Sequence, residues 1–255
     1  MKTTHAILIM AALMLLAPGA QAQGLHDSWD KLLQTHVSEG EVNYAAIRKN
    51  PAELNEYIKT LGNTDPANMT QTDQLAFWIN AYNAFTVKLI IDNMPLKSIR
   101  DIKSPWKQKN WHVGDRVLSL NQIEHEILRK DFKEPRIHFA IVCASIGCPD
   151  LQNRAFLGTT IKAQLTNATR EFMASPKHIR TEVRTRSFGR KEPVLHISQI
   201  FKWFPDDFTA GGQQSIPEFI ARYAPAKTAQ FISKADKRLR LDHLHYDWNL
   251  NKKSE

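Results

Sequence analysis

The stretch from about Gln71 to Asp92 is apolar on most sides of a helix. Leu75, Phe77, Trp78, Ile79, Tyr82, Phe85, Val87, Leu89 and Ile90 leave no continuous polar stripe. A helix apolar all round belongs in the centre of a domain, so the rest of the chain has to build a shell around it. Thr70-x-x-Asp73 resembles a capping box at its start, and Asn93-Met94-Pro95 ends it. Asn80 and Asn83 interrupt the apolar surface three residues apart, on one face. Buried amides must find hydrogen-bond partners. Their expected use is to tie down a neighbouring loop, and the alternative is a direct role at a site.

The shell is legible in pieces. Leu25, Trp29, Leu32, Leu33 and Val37 share one helical face. Glu39-Gly40 then turns into a short extended piece through Val42 and Tyr44. Leu54, Tyr57, Ile58 and Leu61 make a second amphipathic helix, stopped by Gly62. Trp111 to Leu118 reads as a hairpin turning at Gly114-Asp115. Ser119-Leu120-Asn121-Gln122 is a capping box for a helix through Leu128. Ile137 to Val142 is rich in β-branched and aromatic residues and predicts a strand. Ile161, Leu165, Ala168 and Phe172 give a helix. A hairpin over about Ile179–Arg184 and Pro193–Ile197 follows, with Phe188-Gly189 near its turn. Short helices are expected at Ser198–Trp203, from Ser215 to Tyr223 and at Ala226–Ser233, with a last strand at Leu239–Leu241. The sum predicts an α+β fold. It is a single mixed domain, with a central buried helix, an antiparallel sheet and several short surrounding helices.

The N-terminus predicts export. Lys2, the apolar run Ala6–Ala17 and the small-x-small site Ala20-Gln21-Ala22 read as a signal peptide over residues 1–22, leaving one domain over 23–255. The run is short of the ~20 residues a bilayer span needs, and no later run is long and apolar enough to span. The expected location is periplasmic or secreted. The formal charge is +8, and cations concentrate at Lys177, Arg180, Arg184, Arg186, Arg190 and Lys191. In an exported chain such a stretch points to an anionic envelope polymer, a peptide or a lipid head group rather than to nucleic acid. A solvated hairpin is the plainer reading and stands ahead of both.

Both cysteines, Cys143 and Cys148, sit just past the expected strand, and any thiol chemistry must start there. In an oxidising compartment the plain reading is a small structural disulfide. Pro149 suits a first helical turn, so Cys148 as N-cap would have a depressed pKa and serve as a nucleophile. Cys143 as nucleophile with Cys148 resolving is the converse. The nearby bases are His125, within Glu124-His125-Glu126, and His138. Strand alternation would turn His138 away from Cys143. An order Cys148, His196, Asn249 also exists, without specific spacing. Zinc on the two cysteines and histidines lacks a second close pair. No phosphate-binding glycine loop, His-Glu-x-x-His or Gly-x-Ser-x-Gly is present, and no cofactor is expected.

Phe77-Trp78-Ile79-Asn80-Ala81-Tyr82-Asn83-Ala84-Phe85, the block Leu118 to Leu128 and the block Ile137 to Pro149 resemble domain-of-unknown-function family 547. Ile200-Phe201-Lys202-Trp203-Phe204 and Tyr246-Asp247-Trp248-Asn249-Leu250 fit the same pattern. The resemblance covers nearly the whole mature chain and carries no established activity with it. A more remote likeness to papain- or transglutaminase-like folds implies Asn80 near the place of a nucleophile. The leading functional expectation is a thiol-dependent hydrolase or transferase acting on an amide or ester in the cell envelope. Cys143 or Cys148 would attack and His125 or His138 act as base. Asn80 would orient that base or donate to an oxyanion, with Glu126 beside it. The alternatives are an envelope binding module with a structural Cys143–Cys148 disulfide, and a thiol–disulfide or metal role.

Overall fold

The computed structural model describes residues 24–253; the targeting segment expected at 1–22 lies outside them. Helix α1 (Asp27–His36) runs into the short ladder of β1 (Val37–Ser38) and β2 (Glu41–Val42). Their turn carries Glu39 and Gly40 at positive φ. Helices α2 (Tyr44–Lys49) and α3 (Ala52–Gly62) follow, and then the long helix α4 (Gln71–Asn93). The Thr70 hydroxyl caps α4 by accepting from the Asp73 amide. Helix α4 is buried along most of its length, enclosed by α2, α3 and the segment after Ser119. Trp29, Tyr44, Tyr57, Phe77, Phe85 and Trp111 anchor this larger core.

Strands β3 (Trp111–Val113) and β4 (Arg116–Leu118) form the expected hairpin. The Ser119–Gln122 box opens α5 (Leu120–Gln122), which widens into a π turn over Ile123–Leu128 before tightening again as α6 (Arg129–Phe132). The chain continues through α7 (Ile161–Ala174), β5 (Ile179–Thr185), β6 (Lys191–Ile197), α8 (Ile200–Trp203) and α9 (Pro205–Thr209). It ends in α10 (Ile216–Tyr223), α11 (Ala226–Ala235) and β7 (Arg240–His243). Strands β5 and β6 pair antiparallel, and β7 joins β6 in parallel. These elements build a second core from Phe139, Phe172, Phe201, Phe208, Phe219 and Tyr246. The fold is α+β, as expected. Helix α7 touches both α4 and β5, and so links the central helix to the sheet.

Two local expectations fail. Ile137–Val142 is not a strand: Pro135–Phe139 is a 3₁₀ turn, with the Glu134 carboxylate accepting from the Arg136 amide. The apolar composition there reflects burial rather than β pairing. The segment beyond Cys148-Pro149 is irregular up to α7, so Cys148 caps no helix.

Candidate functional site

The cysteine loop is fixed from two sides. From α4, the Asn83 side-chain amide donates to the Ala140 carbonyl at 2.9 Å, and its oxygen accepts the Val142 amide at 2.9 Å. One side chain thus makes the pair of bonds a neighbouring strand would have made. From the C-terminal segment, Asn249 and Asp247 carbonyls accept the Ile146 and Gly147 amides, each at 2.8 Å. A Cβ on Gly147 would sit 2.9 Å from the Tyr246 ring and the Asp247 nitrogen, so glycine is what lets Tyr246 close over the loop. Inside the loop Ala144 is fully buried at φ +58°, a left-handed conformation unusual for alanine.

Cys143 and Cys148 are bonded to each other, which makes neither a standing nucleophile. Cys148 is 4 % exposed, and Cys143 is half-buried. The Cys143 backbone N–H donates to Cys148 Sγ at 2.8 Å, and the Tyr246 hydroxyl sits between the two sulfurs, 3.2 Å from Cys148 Sγ and 3.1 Å from Cys143 Sγ. The Ser145 hydroxyl donates to the Tyr246 oxygen at 3.3 Å, which leaves the Tyr246 hydrogen for sulfur. The helix dipole expected to act on Cys148 is absent, and the Cys143 N–H and the Tyr246 hydroxyl shared by both sulfurs stand in its place.

These sulfurs lie in a cleft of about 470 Å³ at the seam of the two cores. Tyr82, Trp106, Asn121, Glu124 and His125 form one wall, and Ile200, Trp203, Phe204, Tyr246 and Trp248 the other. The aromatic wall is continuous: Trp203–Tyr246 and Tyr246–Trp248 ring centroids are 4.8 and 4.6 Å apart, and Trp106 meets Trp248 edge-on at 6.0 Å.

The π turn sets Glu124 and His125 on the wall. A π turn holds more residues per turn than an α-helix, so consecutive side chains diverge less, and such turns recur at functional sites. Burial raises the Glu124 carboxyl to about 7, against the opposing pull of the Tyr82 hydroxyl, which donates to it at 3.2 Å, and of Arg129. Tyr82 and Tyr246 are themselves pushed up by burial and stay protonated. Outside the cleft lining, Arg129 grips Asp207 with two bonds of 2.6 and 2.9 Å, and His138 Nε2, from the cleft side, meets the same carboxylate at 2.6 Å. Burial works against the Asp207 charge, but those His138 and Arg129 bonds hold it well below the usual carboxylate range. Burial lowers His138, and burial with Arg129 lowers His125. Arg129 only donates, so at 3.0 Å the His125 Nδ1 is an acceptor and that ring is neutral.

Of the residues singled out in the sequence, Cys143, Cys148, His125 and His138 meet at the cleft. Yet both histidines answer to Arg129 and Asp207. Among the described residues, no histidine hydrogen-bonds either sulfur. Asn80 is not in the wall. Its amide donates to the Phe156 carbonyl at 2.7 Å and accepts the Phe156 N–H at 2.9 Å, so it ties a loop to α4. Glu126 is exposed, away from the cleft. Among the described residues, no group of three or more His, Cys, Asp or Glu side chains is arranged to hold a metal ion. Sequence reasoning did not single out Asp207, Arg129, Tyr82, Tyr246 or the tryptophans as site residues. The blocks carrying the family resemblance do contain Tyr82, Trp203, Phe204, Tyr246 and Trp248.

Residues 66–173 match the model of the family described as "Protein of unknown function, DUF547", so the family read from the sequence blocks holds over that stretch. The aromatic blocks at 200–204 and 246–250 lie beyond it. No curated protein and no solved structure matches the chain.

Proposed function

We propose that the cleft carries out thiol–disulfide exchange, with Cys143–Cys148 as the reacting disulfide and a dithiol as its reductant. The observation that carries this reading is the Cys143 N–H aimed at Cys148 Sγ, with the Tyr246 O–H between the two sulfurs and in reach of Cys148 once the S–S bond opens. In exchange, a substrate thiolate attacks the more accessible Cys143 sulfur. The bond to Cys148 breaks as the new S–S bond forms, and Cys148 leaves as a thiolate. A leaving thiolate held by two donors departs faster. The second substrate thiol then attacks the substrate's own sulfur in the mixed disulfide and releases Cys143. The substrate ends as a disulfide, and its two protons end on Cys143 and Cys148. Glu124, with a carboxyl near neutrality in the same cleft, is suited to pass one of those protons.

A purely structural disulfide is the weaker reading. Closing so short a loop contributes only about 2 kcal/mol by chain entropy, and this loop is already held by Asn83 and the C-terminal segment. The amide- or ester-cleaving reading needs a free thiol with a base in reach, and both histidines are engaged elsewhere. The aromatic walls favour a binding role for the same cleft, which exchange would use to hold its substrate.

The test is equilibration with glutathione buffers followed by alkylation and intact mass. Exchange predicts a reduction potential above about −300 mV, where structural disulfides do not lie, and a trapped glutathione adduct on Cys143 in Cys148→Ser. A bond that stays oxidised across the buffers sinks the proposal and leaves a binding cleft. Ester cleavage by the reduced protein, lost in one single-serine variant, would restore the hydrolase reading.

A further inference from the structure

The hairpin of β5 and β6 runs past the sheet that supports it. Strand β7 pairs with β6 only from Val194 to Ile197, whereas the β5–β6 ladder continues to Thr185 opposite Lys191. The outer rungs and the Arg186–Arg190 apex therefore form a two-stranded arm without a third strand. Such an arm is marginal alone, and ion pairs brace it: Arg184 with Glu182 and Asp242 at 3.1 Å, and Arg186 with Glu192 at 2.8 Å.

Those braces use up the acids of the arm. Arg190 and Lys191 make no ion pair among the described residues, so the apex carries uncompensated positive charge. At its tip Phe188 is fully exposed, at 107 %, and Val183 behind it is 56 % exposed. Phe188 takes φ +61°, and the next residue, Gly189, has no neighbour that a Cβ would meet within 4 Å. A bulky residue in the left-handed region is strained, and here no packing repays the strain. The apex thus offers one aromatic ring to the outside, with Arg190 and Lys191 next to it in the chain.

We propose that this arm docks the protein on an anionic lipid bilayer, Phe188 entering the interfacial region while Arg190 and Lys191 pair with lipid phosphates. Charge complementarity selects the lipid class, since each basic side chain near an anionic surface adds attraction. The ring selects a bilayer over a soluble polyanion, because only a bilayer gives an aromatic side chain an apolar layer to enter. This inference is independent of the thiol chemistry.

Co-sedimentation with vesicles tests it, using equimolar phosphatidylcholine and phosphatidylglycerol against phosphatidylcholine alone. The intact protein should sediment with the anionic vesicles only. Phe188→Ala should weaken that binding about tenfold, and the Arg190→Glu/Lys191→Glu double variant should abolish it. A Phe188→Trp variant should gain quenching by brominated acyl chains relative to the parent. All of these sit on an exposed tip and should leave the denaturation midpoint unchanged. Equal binding to both vesicle types overturns the proposal, and so does undiminished binding by Phe188→Ala. If heparin binds the protein as well as the vesicles do, and Phe188→Ala changes neither, the arm is a polyanion site instead.

Discussion

Helix α4 and the cleft wall both set polar groups among apolar ones, and they treat them in opposite ways. On α4, Asn80 and Asn83 are neutral amides, each locked to a backbone N–H and a backbone C=O of a passing segment. Nothing there carries a charge to be lost or gained. At the cleft, Glu124, His125 and His138 are ionisable and have displaced pKa values, and both histidines partner the Arg129–Asp207 pair that lies outside the cleft lining. Matched neutral groups fix a fold. Clustered, shifted groups in a cleft are where proton chemistry is affordable. The difference separates residues whose loss should unfold the protein from residues whose loss should spare it.

The largest effect should fall on the α4 side. Asn83→Ala leaves the buried Ala140 carbonyl and Val142 amide without partners. At about 1–3 kcal/mol for each orphaned group, the cost should be roughly 4 kcal/mol, read as a lower urea midpoint at unchanged slope. Asn83→Asp should be nearly as damaging, because it turns a second oxygen toward the Ala140 carbonyl. A midpoint within error of the parent would mean that the loop holds itself and the comparison fails.

Acidity sharpens the contrast, because His26 in the larger core and Glu124 in the cleft respond with opposite signs. His26 lies in the larger core, its Nδ1 2.7 Å from the Tyr57 hydroxyl, and burial lowers it to about 4. Its folded pKa is below the unfolded value, so its contribution is whole above about pH 6.5 and declines as pH falls towards 4. The loss should approach 3 kcal/mol, converted at about 1.4 kcal/mol per pKa unit. His26→Gln should flatten that acid limb.

Glu124 runs the other way. Its folded value, about 7, lies above the unfolded one, so its contribution is whole below about pH 4.5 and is lost as pH rises through 7. Glu124→Gln should therefore stabilise the protein at pH 8, by about 2 kcal/mol after discounting for water in the cleft. It should also remove the alkaline decline in guanidinium midpoints. A destabilised Glu124→Gln would place this carboxyl among the structural groups instead.

How far the sequence could be read follows the same division. The buried helix, the capping boxes at Ser119 and Ser215 and the two hairpins are local signals, and each is found where its residues predict it. The loop-tying use of Asn80 and Asn83 was legible because a buried amide has few other options. The strand expected at Ile137–Val142 failed because its backbone bonds close local turns onto Glu134 and Ile137 and then go to the Asn83 side chain, and periodicity carries no trace of that. The π turn at Ile123–Leu128 has no sequence signature either. The cleft gathers Tyr82, Glu124, Cys143, Phe204 and Tyr246 from distant stretches, and Asp207 reaches His138 from outside its lining. Asp207, in Phe204-Pro205-Asp206-Asp207, reads locally as nothing more than the acidic first turn of a short helix.

The smallest expected change in stability belongs to the residue with the most specific chemical role. Tyr246→Phe keeps the ring against Trp203 and Trp248 and removes one hydroxyl, so the denaturation midpoint should move by no more than about 1 kcal/mol. The exchange rate with a dithiol should nevertheless fall about tenfold, the worth of one donor to a departing thiolate. The reduced protein separates this from a packing effect. Without the Tyr246 donor the Cys148 thiol should titrate higher, seen as a shift of the thiolate absorbance to higher pH, while Ser145→Ala, one bond further away, should shift it less. A rate and a titration both unchanged in Tyr246→Phe would leave the backbone N–H of Cys143 as the sole donor and reduce the cleft's part in exchange to holding the substrate.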